Sequence, residues 1–430
     1  MTSKLFFKST LLFFSLLIVS CGSSKKAIPQ LKPSADNVTL TSTSTDVTFK
    51  TGAENFESYL PLLKDKRVGI VTNQTGIFKS MPIIEHRSSS LYPTENKGSI
   101  NFSIVDYLLE QNINLQKIYA PEHGFRGTAD AGELIVDGKD TKTNLPIISL
   151  YGNNKKPKPE QLEGIDILVF DLQDVGARFY TYISSLHYVM EACAENNIPL
   201  LVLDRPNPNG TIIDGPILEK EHKSFVGMHE IPVLHGMTIG EYSKMINGEK
   251  WLKDGLQCNL SVIPCLNYAH DMKYSLPVKP SPNLPNDQSI NLYASLCFFE
   301  GTNVSLGRGT EKQFQIYGSP FLPESEFDFS FTPQPNFGAK DPVHNGKLCF
   351  GEDLTEIRKV NRLELKWLLK AYENTADKTV FFTDFFTKLA GTKKLREQIE
   401  AGMTEKEIRK TWIEGLEQFK EVRAKYLIYE

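Results

Sequence analysis

The sequence predicts an α/β fold in which a Rossmann-like, doubly wound parallel sheet domain precedes a second, smaller α+β domain. From about residue 60, short and uninterrupted apolar runs alternate with segments of helical periodicity. Such runs are typical of parallel strands that helices cover on both faces. Roughly 380 residues follow the polar N-terminal segment, which is enough chain for two domains.

Five apolar runs predict the strands of the sheet, over 67–72, 115–120, 145–150, 165–170 and 198–203. Helical periodicity between these runs predicts helices over 103–112, 159–164 and 186–196. We therefore place the sheet domain at residues 55–230. The second domain is expected at 231–430, where it would close a cleft over the sheet.

The first twenty residues have the pattern of an export signal rather than of a folded element. Two lysines precede a short apolar run over 11–19, and the run leads into the tetrapeptide IVSC at 18–21. It is shorter than a membrane-spanning helix requires. The tetrapeptide resembles a bacterial lipobox, which implies a signal peptide over 1–20 and lipid attached to Cys21. An ordinary secretory signal that contains a cysteine is the alternative.

Residues 21–54 are rich in Ser, Thr, Lys and Pro and poor in large apolar side chains. A segment of this composition cannot bury enough apolar surface to offset its ordering entropy, so we expect a flexible tether. Gly22 follows the cysteine, where an Asp would favour retention in the inner membrane. We therefore expect a lipid-anchored protein of the cell envelope, at the outer membrane and facing the periplasm.

The composition argues against several classes of function. The net charge is −4 and the pI about 6.1, without a basic stripe, so nucleic acid is not an expected partner. The cysteines beyond Cys21 form no CxxC pair and are expected to be buried apolar residues. The sequence lacks four common motifs of cofactor-binding, metal-binding and hydrolytic sites. They are G-x-G-x-x-G after the first strand, the Walker A motif, H-E-x-x-H and G-x-S-x-G. The sequence therefore predicts neither a cofactor nor a metal.

Polar residues follow four of the predicted strands, at the edge where open α/β sheets bind their ligands. They are Asn73, Glu122 with His123, Asp171 with Asp174, and Asp204 with Arg205 and Asn207. Asp and Asn in such places also serve as turn formers and helix caps, and that alternative stays open for each of them. Glu122 fits this alternative least, because Glu is neither a favoured cap nor a favoured turn residue.

The second half of the chain offers weaker signals. Thr238 and Glu241 form a capping box that opens a helix, and His235 just before it suits either a structural or a functional role. A polar, Gly-rich loop over 305–310 would let backbone N–H groups approach a ligand. A last long helix is predicted over 404–425, and it begins with another capping box.

Several segments together resemble one family, the exo-β-N-acetylmuramidases of the NamZ type. They are APEHGFRG at 120–127, FDLQDVGARFY at 170–180, LDRPNP at 203–208, EGTN at 300–303 and GRGT at 307–310. The resemblance implies a Rossmann-like domain, a smaller C-terminal domain and an active site in the cleft between them. It also implies the release of terminal N-acetylmuramic acid from the non-reducing end of peptidoglycan chains, with Glu122 as the leading catalytic residue.

Glycoside cleavage usually uses two carboxyl groups, one of them as an acid. Glu122 is the candidate acid, and Asp171, Asp174 and Glu300 are its candidate catalytic partners. The acetamido group of the substrate is an alternative to a second carboxylate, and inversion and retention both stay open.

N-Acetylmuramic acid carries a lactyl carboxylate, which an arginine can bind bidentately. Four arginines of the resembling segments are candidates for this contact, although each of them also suits a structural ion pair. Tyr180 offers a stacking face for the sugar. The predicted substrate-binding residues are Asn73, His123, Arg126, Arg178, Tyr180, Asp204, Arg205, Asn207, His235, Asn303 and Arg308.

The expected partners are a peptidoglycan-derived glycan and, through the lipid anchor, the membrane. A wall amidase or peptidase would need a metal or an activated Ser or Cys, and the sequence contains no motif for either. A glycan-binding envelope lipoprotein without catalysis is the alternative that the same cleft would serve.

Overall fold

The structure of the protein is a computed structural model that describes residues 48–78, 102–122, 124–126 and 137–430. The predicted signal peptide, Cys21 and most of the predicted tether lie outside the described residues, as does His123. The strands are β1 (Arg67–Thr72), β2 (Ile77–Phe78), β3 (Phe102–Ser103), β4 (Asn114–Ala120), β5 (Gly138–Lys139), β6 (Pro146–Ser149), β7 (Ile167–Asp171), β8 (Leu200–Leu203), β9 (Ile213–Asp214), β10 (Leu234–His235), β11 (Leu260–Ile263), β12 (Ile316–Ser319), β13 (Phe329–Phe331) and β14 (Cys349–Asp353).

The α-helices are α1 (Phe56–Leu63), α2 (Ile104–Glu110), α3 (Pro159–Leu162), α4 (Tyr182–Glu195), α5 (Ile239–Gly248), α6 (Asp287–Leu296), α7 (Lys366–Asn374), α8 (Asp384–Ala390), α9 (Lys394–Glu400), α10 (Glu405–Lys410) and α11 (Ile413–Ala424). Among the described residues, none of the helices combines the length and the apolarity that a bilayer crossing requires.

Seven strands form the central sheet in the order β11-β8-β7-β1-β4-β6-β5. Neighbouring strands are parallel except for β5, which runs antiparallel to β6 at one edge. Counted along the chain, the parallel strands stand in the order 6-5-4-1-2-3, which is the doubly wound order of Rossmann folds. The predicted fold class is therefore confirmed, and the direction of winding reverses between β1 and β7.

The two faces of the sheet are covered by different helices because successive strand residues point to opposite sides. On one face, Val71 and Phe170 belong to a core that includes the buried residues of α4 and α5. On the other face, Ile70 and Val169 pack with α1 and α2. The first core continues into the second domain through residues such as Phe298, so both domains share one apolar interior.

The sheet domain reaches further than the predicted boundary at residue 230. β11 pairs in parallel with β8 through the register Leu260 to Leu200, so a strand beyond residue 250 completes the sheet. The sequence did not predict β11 because this strand is partly exposed and lacks the continuous apolar run of the inner strands. The second domain contains the antiparallel sheet β12-β14-β13 together with α7 to α11, as the α+β prediction requires.

The predicted tether also ends earlier than residue 54. The backbone N–H of Lys50 bonds to the carbonyl of Leu266 at 3.1 Å, and that of Gly52 bonds to the carbonyl of Asp204 at 2.8 Å. Gly52 packs directly against the backbone of Asp204, so that a Cβ added to it would stand 2.4 Å from the Asp204 backbone nitrogen. The chain is therefore anchored on the sheet domain from about residue 50 onward.

Helix ends follow the capping signals, with one correction. Thr238 caps α5 as predicted, because its hydroxyl accepts from the Glu241 N–H at 3.2 Å and the Glu241 carboxylate accepts from the Thr238 N–H at 2.9 Å. The single helix predicted over 404–425 is wrong, since α10 ends at Lys410 and α11 begins at Ile413. The Thr411 hydroxyl donates to the Ile408 carbonyl at 2.7 Å, which offers the backbone a competing bond at the break.

Replacing Arg205 by Met should destabilise the protein far more than the same change at Arg67. Arg205 pairs with Asp171 where both side chains are almost fully buried, whereas Arg67 and the Asp166 partner are 53% and 34% exposed. Removing one partner of a buried pair leaves an uncompensated charge and costs about 3–5 kcal/mol, while an exposed pair is worth about 0–1 kcal/mol. Urea unfolding of the two variants measures the difference, and equal losses would contradict the assignment.

Candidate active site

A cavity of about 510 Å³ lies between the carboxyl edge of the sheet and the second domain. The sheet domain supplies residues that follow β4, β6 and β7, and the second domain supplies the segment after α6 and a loop over 338–343. Its lining includes the polar and aromatic side chains of Glu122, Tyr151, Tyr180, Thr181, Tyr182, Glu300, Arg308, Phe314 and Lys340. The predicted cleft between two domains is therefore present at the predicted edge.

Glu122 stands just past the end of β4, and two hydroxyl groups orient its carboxyl group. Its Oε1 accepts from the Tyr151 hydroxyl at 3.1 Å, and its Oε2 accepts from the Thr181 hydroxyl at 3.0 Å. The side chain is partly buried in the cavity wall. Tyr151 and Thr181 were missed in the sequence, although Tyr151 follows β6 and the strand-end rule could have found it.

Two tyrosines of the cavity wall, Tyr180 and Tyr182, flank Thr181, which bonds to Glu122. The rings of Tyr180 and Tyr182 meet edge to face, with centroids 4.8 Å apart. The Tyr180 hydroxyl donates to the Pro280 carbonyl at 2.8 Å, and the Tyr182 hydroxyl accepts from Asn73 Nδ2 at 2.5 Å. Burial, together with the nearby Glu122 carboxylate, raises the pKa of Tyr182 well above its usual range, so this hydroxyl stays neutral.

Arg308 is held in one orientation on the wall that the second domain provides. Its Nε and Nη2 both donate to Oε1 of Glu300, at 3.2 and 2.6 Å, and its guanidinium lies 5.2 Å from the centroid of the Phe314 ring. Both charged side chains are 25% exposed. Burial by itself would lower the pKa of Arg308, but the Glu300 carboxylate outweighs burial and raises it.

Several predicted site residues point into the protein interior instead of the cavity. Asp171 binds Arg205 through Oδ1 to Nε at 2.6 Å and Oδ2 to Nη2 at 2.9 Å, and both residues are buried. Asp204 accepts from the hydroxyls of Thr238 and Tyr429, at 2.7 and 2.6 Å. Neither Asp171, Asp204 nor Arg205 lines the cavity, so their described contacts are structural.

Two asparagines at strand ends form turns, which is the alternative left open for them above. Asn73 Oδ1 accepts from the N–H of Thr75 at 2.9 Å, while Asn73 Nδ2 supports Tyr182 beneath the cavity. Asn207 Oδ1 accepts from the N–H of Asn209 at 2.8 Å, and its Nδ2 donates to the Met237 carbonyl. Asn73 thus contributes to the site through a tyrosine, and Asn207 shapes the loop after β8.

Like Arg205, two more of the four candidate arginines form hydrogen bonds outside the cavity. Arg178 is fully buried, and its Nη1 and Nη2 donate to four backbone carbonyls. Arg126 forms a bidentate pair with Asp140 at 2.8 Å and does not line the cavity. Arg308 is therefore the one of the four that faces the cavity in the described part of the chain.

Asp174 and His235 lie together under the sheet edge, outside the cavity. Asp174 Oδ2 accepts from the Gly176 N–H at 2.7 Å and stands 3.7 Å from His235 Nε2. Burial raises the pKa of Asp174 to about 7 and lowers that of His235 to about 3, so burial favours the neutral form of both. Asn303 follows Thr302 of the cavity wall, and its side-chain amide has no hydrogen-bond partner among the described residues.

An acid that neighbouring hydroxyls orient beside an aromatic surface suits the cleavage of a sugar acetal, and the protein is a glycosidase. Comparison with known proteins identifies the family. Residues 68–288 match the N-terminal domain, and residues 291–429 the C-terminal domain, of the Exo-beta-N-acetylmuramidase NamZ family. The chain belongs to this family, and the family boundary near residue 290 agrees with a sheet domain that includes β11.

Individual relatives match over most of the chain. The Peptidoglycan beta-N-acetylmuramidase NamZ of Bacillus subtilis (strain 168) is 39% identical over 393 residues, which cover 86% of this chain and 89% of that protein. Two crystal structures of DUF1343 family proteins from Bacteroides fragilis NCTC 9343 are similar in fold. They are 42% and 30% identical, with TM-scores of 0.77 and 0.72, and the matches cover 89% of this chain and 99% and 100% of theirs.

Replacing Asp174 by Asn should change how stability depends on pH. Because the folded-state pKa of Asp174 is raised to about 7, its contribution to stability is full below the unfolded pKa near 4 and is lost as the pH rises through 7. The Asn variant lacks this loss, so its stability relative to the wild type should rise between pH 5 and 8, by roughly 2–3 kcal/mol.

Urea unfolding across this pH range tests the expectation, with Asp166→Asn as the control. The Arg67 guanidinium lowers the pKa of Asp166 to about 2, so that carboxyl stays ionised from pH 5 to 8 and its removal should add no slope. A parallel pH profile for Asp174→Asn and the wild type would show that Asp174 does not titrate as described.

Proposed function

We propose that the protein is an exo-acting β-N-acetylmuramidase that releases N-acetylmuramic acid from the non-reducing ends of peptidoglycan fragments. The observation that carries the proposal is Glu122, whose two oxygens are oriented by hydroxyl groups in the wall of a cavity between two domains. The relative from Bacillus subtilis, which bears the name of a peptidoglycan β-N-acetylmuramidase, supports this substrate. Recycling of the cell wall during turnover or salvage is the role that such a reaction would serve.

Glu122 is proposed to transfer the proton to the glycosidic oxygen. General acid catalysis requires that the acid lie within hydrogen-bond reach of the leaving oxygen. The Glu122 carboxyl group is only partly buried and lines the cavity, so a sugar bound there can reach it. Hydrogen bonds from Tyr151 and Thr181 fix the direction in which the carboxyl group faces. Asp171 and Asp174 lie outside the cavity, which argues against either as the second catalytic group.

Glu122→Gln should lower kcat/KM on a chromogenic β-N-acetylmuramic acid glycoside by roughly 10²- to 10⁴-fold, because the amide cannot donate the proton. Glu160→Gln is the matched control, since Glu160 lies exposed on α3 away from the cavity. An activity of Glu122→Gln close to that of the control would reject the assignment. If neither protein releases the chromophore but both bind the sugar, the non-catalytic glycan-binding alternative would replace the enzyme.

We further propose that the protein is anchored in the cell envelope by lipid on Cys21, at the outer membrane and facing the periplasm. The support is the sequence pattern of the first twenty-one residues, in which a short apolar run ends at a small residue and a cysteine. Acyl chains attached at this cysteine would give stable membrane binding, which a single chain does not.

Cys21→Ser should abolish the incorporation of a labelled fatty acid and move the protein out of the membrane fraction. Cys193→Ser serves as the control, because Cys193 is a buried thiol of the folded domain. Labelling and fractionation of cells that express each variant provide the measurement. A wild type that incorporates no label, or a Cys21→Ser variant that is labelled as strongly as the wild type, would rule out the lipid anchor.

A further inference from the structure

The proposed substrate poses a recognition problem that the active-site acid does not solve. N-Acetylmuramic acid differs from N-acetylglucosamine by a lactyl ether, whose carboxylate carries a negative charge. A site that prefers the muramic sugar therefore needs a fixed cation, and a planar guanidinium recognises a carboxylate best. The inference below rests on the proposed function, because it concerns the same cavity and the same sugar.

Two cations line the cavity in the described part of the chain, Arg308 and Lys340. Lys340 is exposed on the loop at the cavity rim, where a flexible ammonium gives little directional preference. Arg308 lies on the inner wall between Glu300 and Phe314 and is only 25% exposed. Burial of this degree strengthens a charge-assisted hydrogen bond relative to one formed in open solvent.

The hydrogen bonds of Arg308 leave one edge of its guanidinium for a ligand. Nε and Nη2 donate one hydrogen each to Oε1 of Glu300. A guanidinium has five N–H donors, so Nη1 and the second hydrogen of Nη2 form another bidentate edge. Among the described residues, no hydrogen bond is formed by Nη1.

The same contacts give Glu300 a different role from the catalytic one that the sequence suggested. Its Oε1 accepts both N–H groups, and it holds Arg308 against the Phe314 ring at a fixed angle. Tyr293 packs on Phe314 with ring centroids 4.9 Å apart, which restricts the ring in turn. Glu300 is therefore a positioning residue for the arginine.

We infer that Arg308, positioned by Glu300 and Phe314, determines the specificity of the site by binding the lactyl carboxylate of the terminal sugar. A guanidinium that is already oriented loses little entropy when the carboxylate binds, so the contact contributes to selectivity and not only to attraction. The neutral glucosamine analogue lacks the group that would occupy this edge.

The test compares Arg308→Met, Arg308→Lys, Glu300→Gln and Lys340→Met with the wild type. Each protein is assayed on chromogenic glycosides of N-acetylmuramic acid, of its lactyl amide and of N-acetylglucosamine. Loss of a charge-assisted hydrogen bond predicts a rise in KM of roughly 10- to 150-fold for the muramic substrate of Arg308→Met. The two neutral substrates should be nearly unaffected, so the preference for the charged sugar disappears.

The conservative variants separate a positioning role from a catalytic one. Arg308→Lys keeps the positive charge but lacks the paired N–H donors of the guanidinium, so it should retain part of the preference for the muramic substrate. Glu300→Gln should raise KM for the muramic substrate, because a neutral amide holds Arg308 less firmly than a carboxylate does. It should leave kcat within a few-fold, since the amide oxygen still accepts from Arg308. A large fall in kcat at unchanged KM would show that Glu300 is catalytic and would overturn its positioning role.

Binding measurements keep the inference independent of turnover. Calorimetry with free N-acetylmuramic acid and N-acetylglucosamine, in the Glu122→Gln background, should show the muramic preference and its loss in Arg308→Met. If the wild type hydrolyses nothing, the proposed function fails while this comparison still decides the role of Arg308. Equal losses for both sugars, or a preference removed by Lys340→Met instead, would overturn the inference.

Discussion

The buried guanidinium of Arg178 joins the two domains that enclose the cavity. Its Nη1 donates to the carbonyls of Pro216 and Ile231, and its Nη2 donates to those of Leu389 and Ala390 at the end of α8. Carbonyls at a helix C-terminus favour a cation. Burial lowers the pKa of Arg178 to about 9, which still leaves the side chain charged at neutral pH. The residue predicted to bind substrate instead fixes the wall from which Tyr180 and Thr181 project.

The link continues from α8 to the inner wall of the second domain. Gly301 packs so closely on α8 that an added Cβ would stand 2.4 Å from the Phe386 Cα. This glycine follows Glu300, which holds Arg308. The Thr383 N–H also donates to the Gly301 carbonyl at 2.9 Å. Because packed contacts connect Arg178 to Arg308, the two walls of the cavity keep a defined separation, as a site that grips a rigid sugar requires.

Residue patterns predicted the sheet and its functional edge because both follow from local rules. Apolar runs mark the inner strands, and all parallel strands end at the same edge, so Glu122 could be placed in the site. The same rules do not say which way a strand-end side chain turns. Asp171 turned toward Arg205 on a later loop, and Asp204 bonds to Tyr429, which lies 225 residues further along the chain. Contacts of that range depend on the packing of the second domain.

The described hydrogen-bond partners of Asp171, Glu300 and Glu122 differ in kind, and this difference gives the three acids different roles. A guanidinium can only donate hydrogen bonds, so Asp171 beside Arg205 and Glu300 beside Arg308 serve as hydrogen-bond acceptors. A hydroxyl group can donate to a carboxylate or accept from a carboxylic acid. The hydroxyls of Tyr151 and Thr181 therefore suit Glu122 both before and after it gives up a proton. Reversible proton transfer needs such partners, whereas rigid support is better served by the arginines.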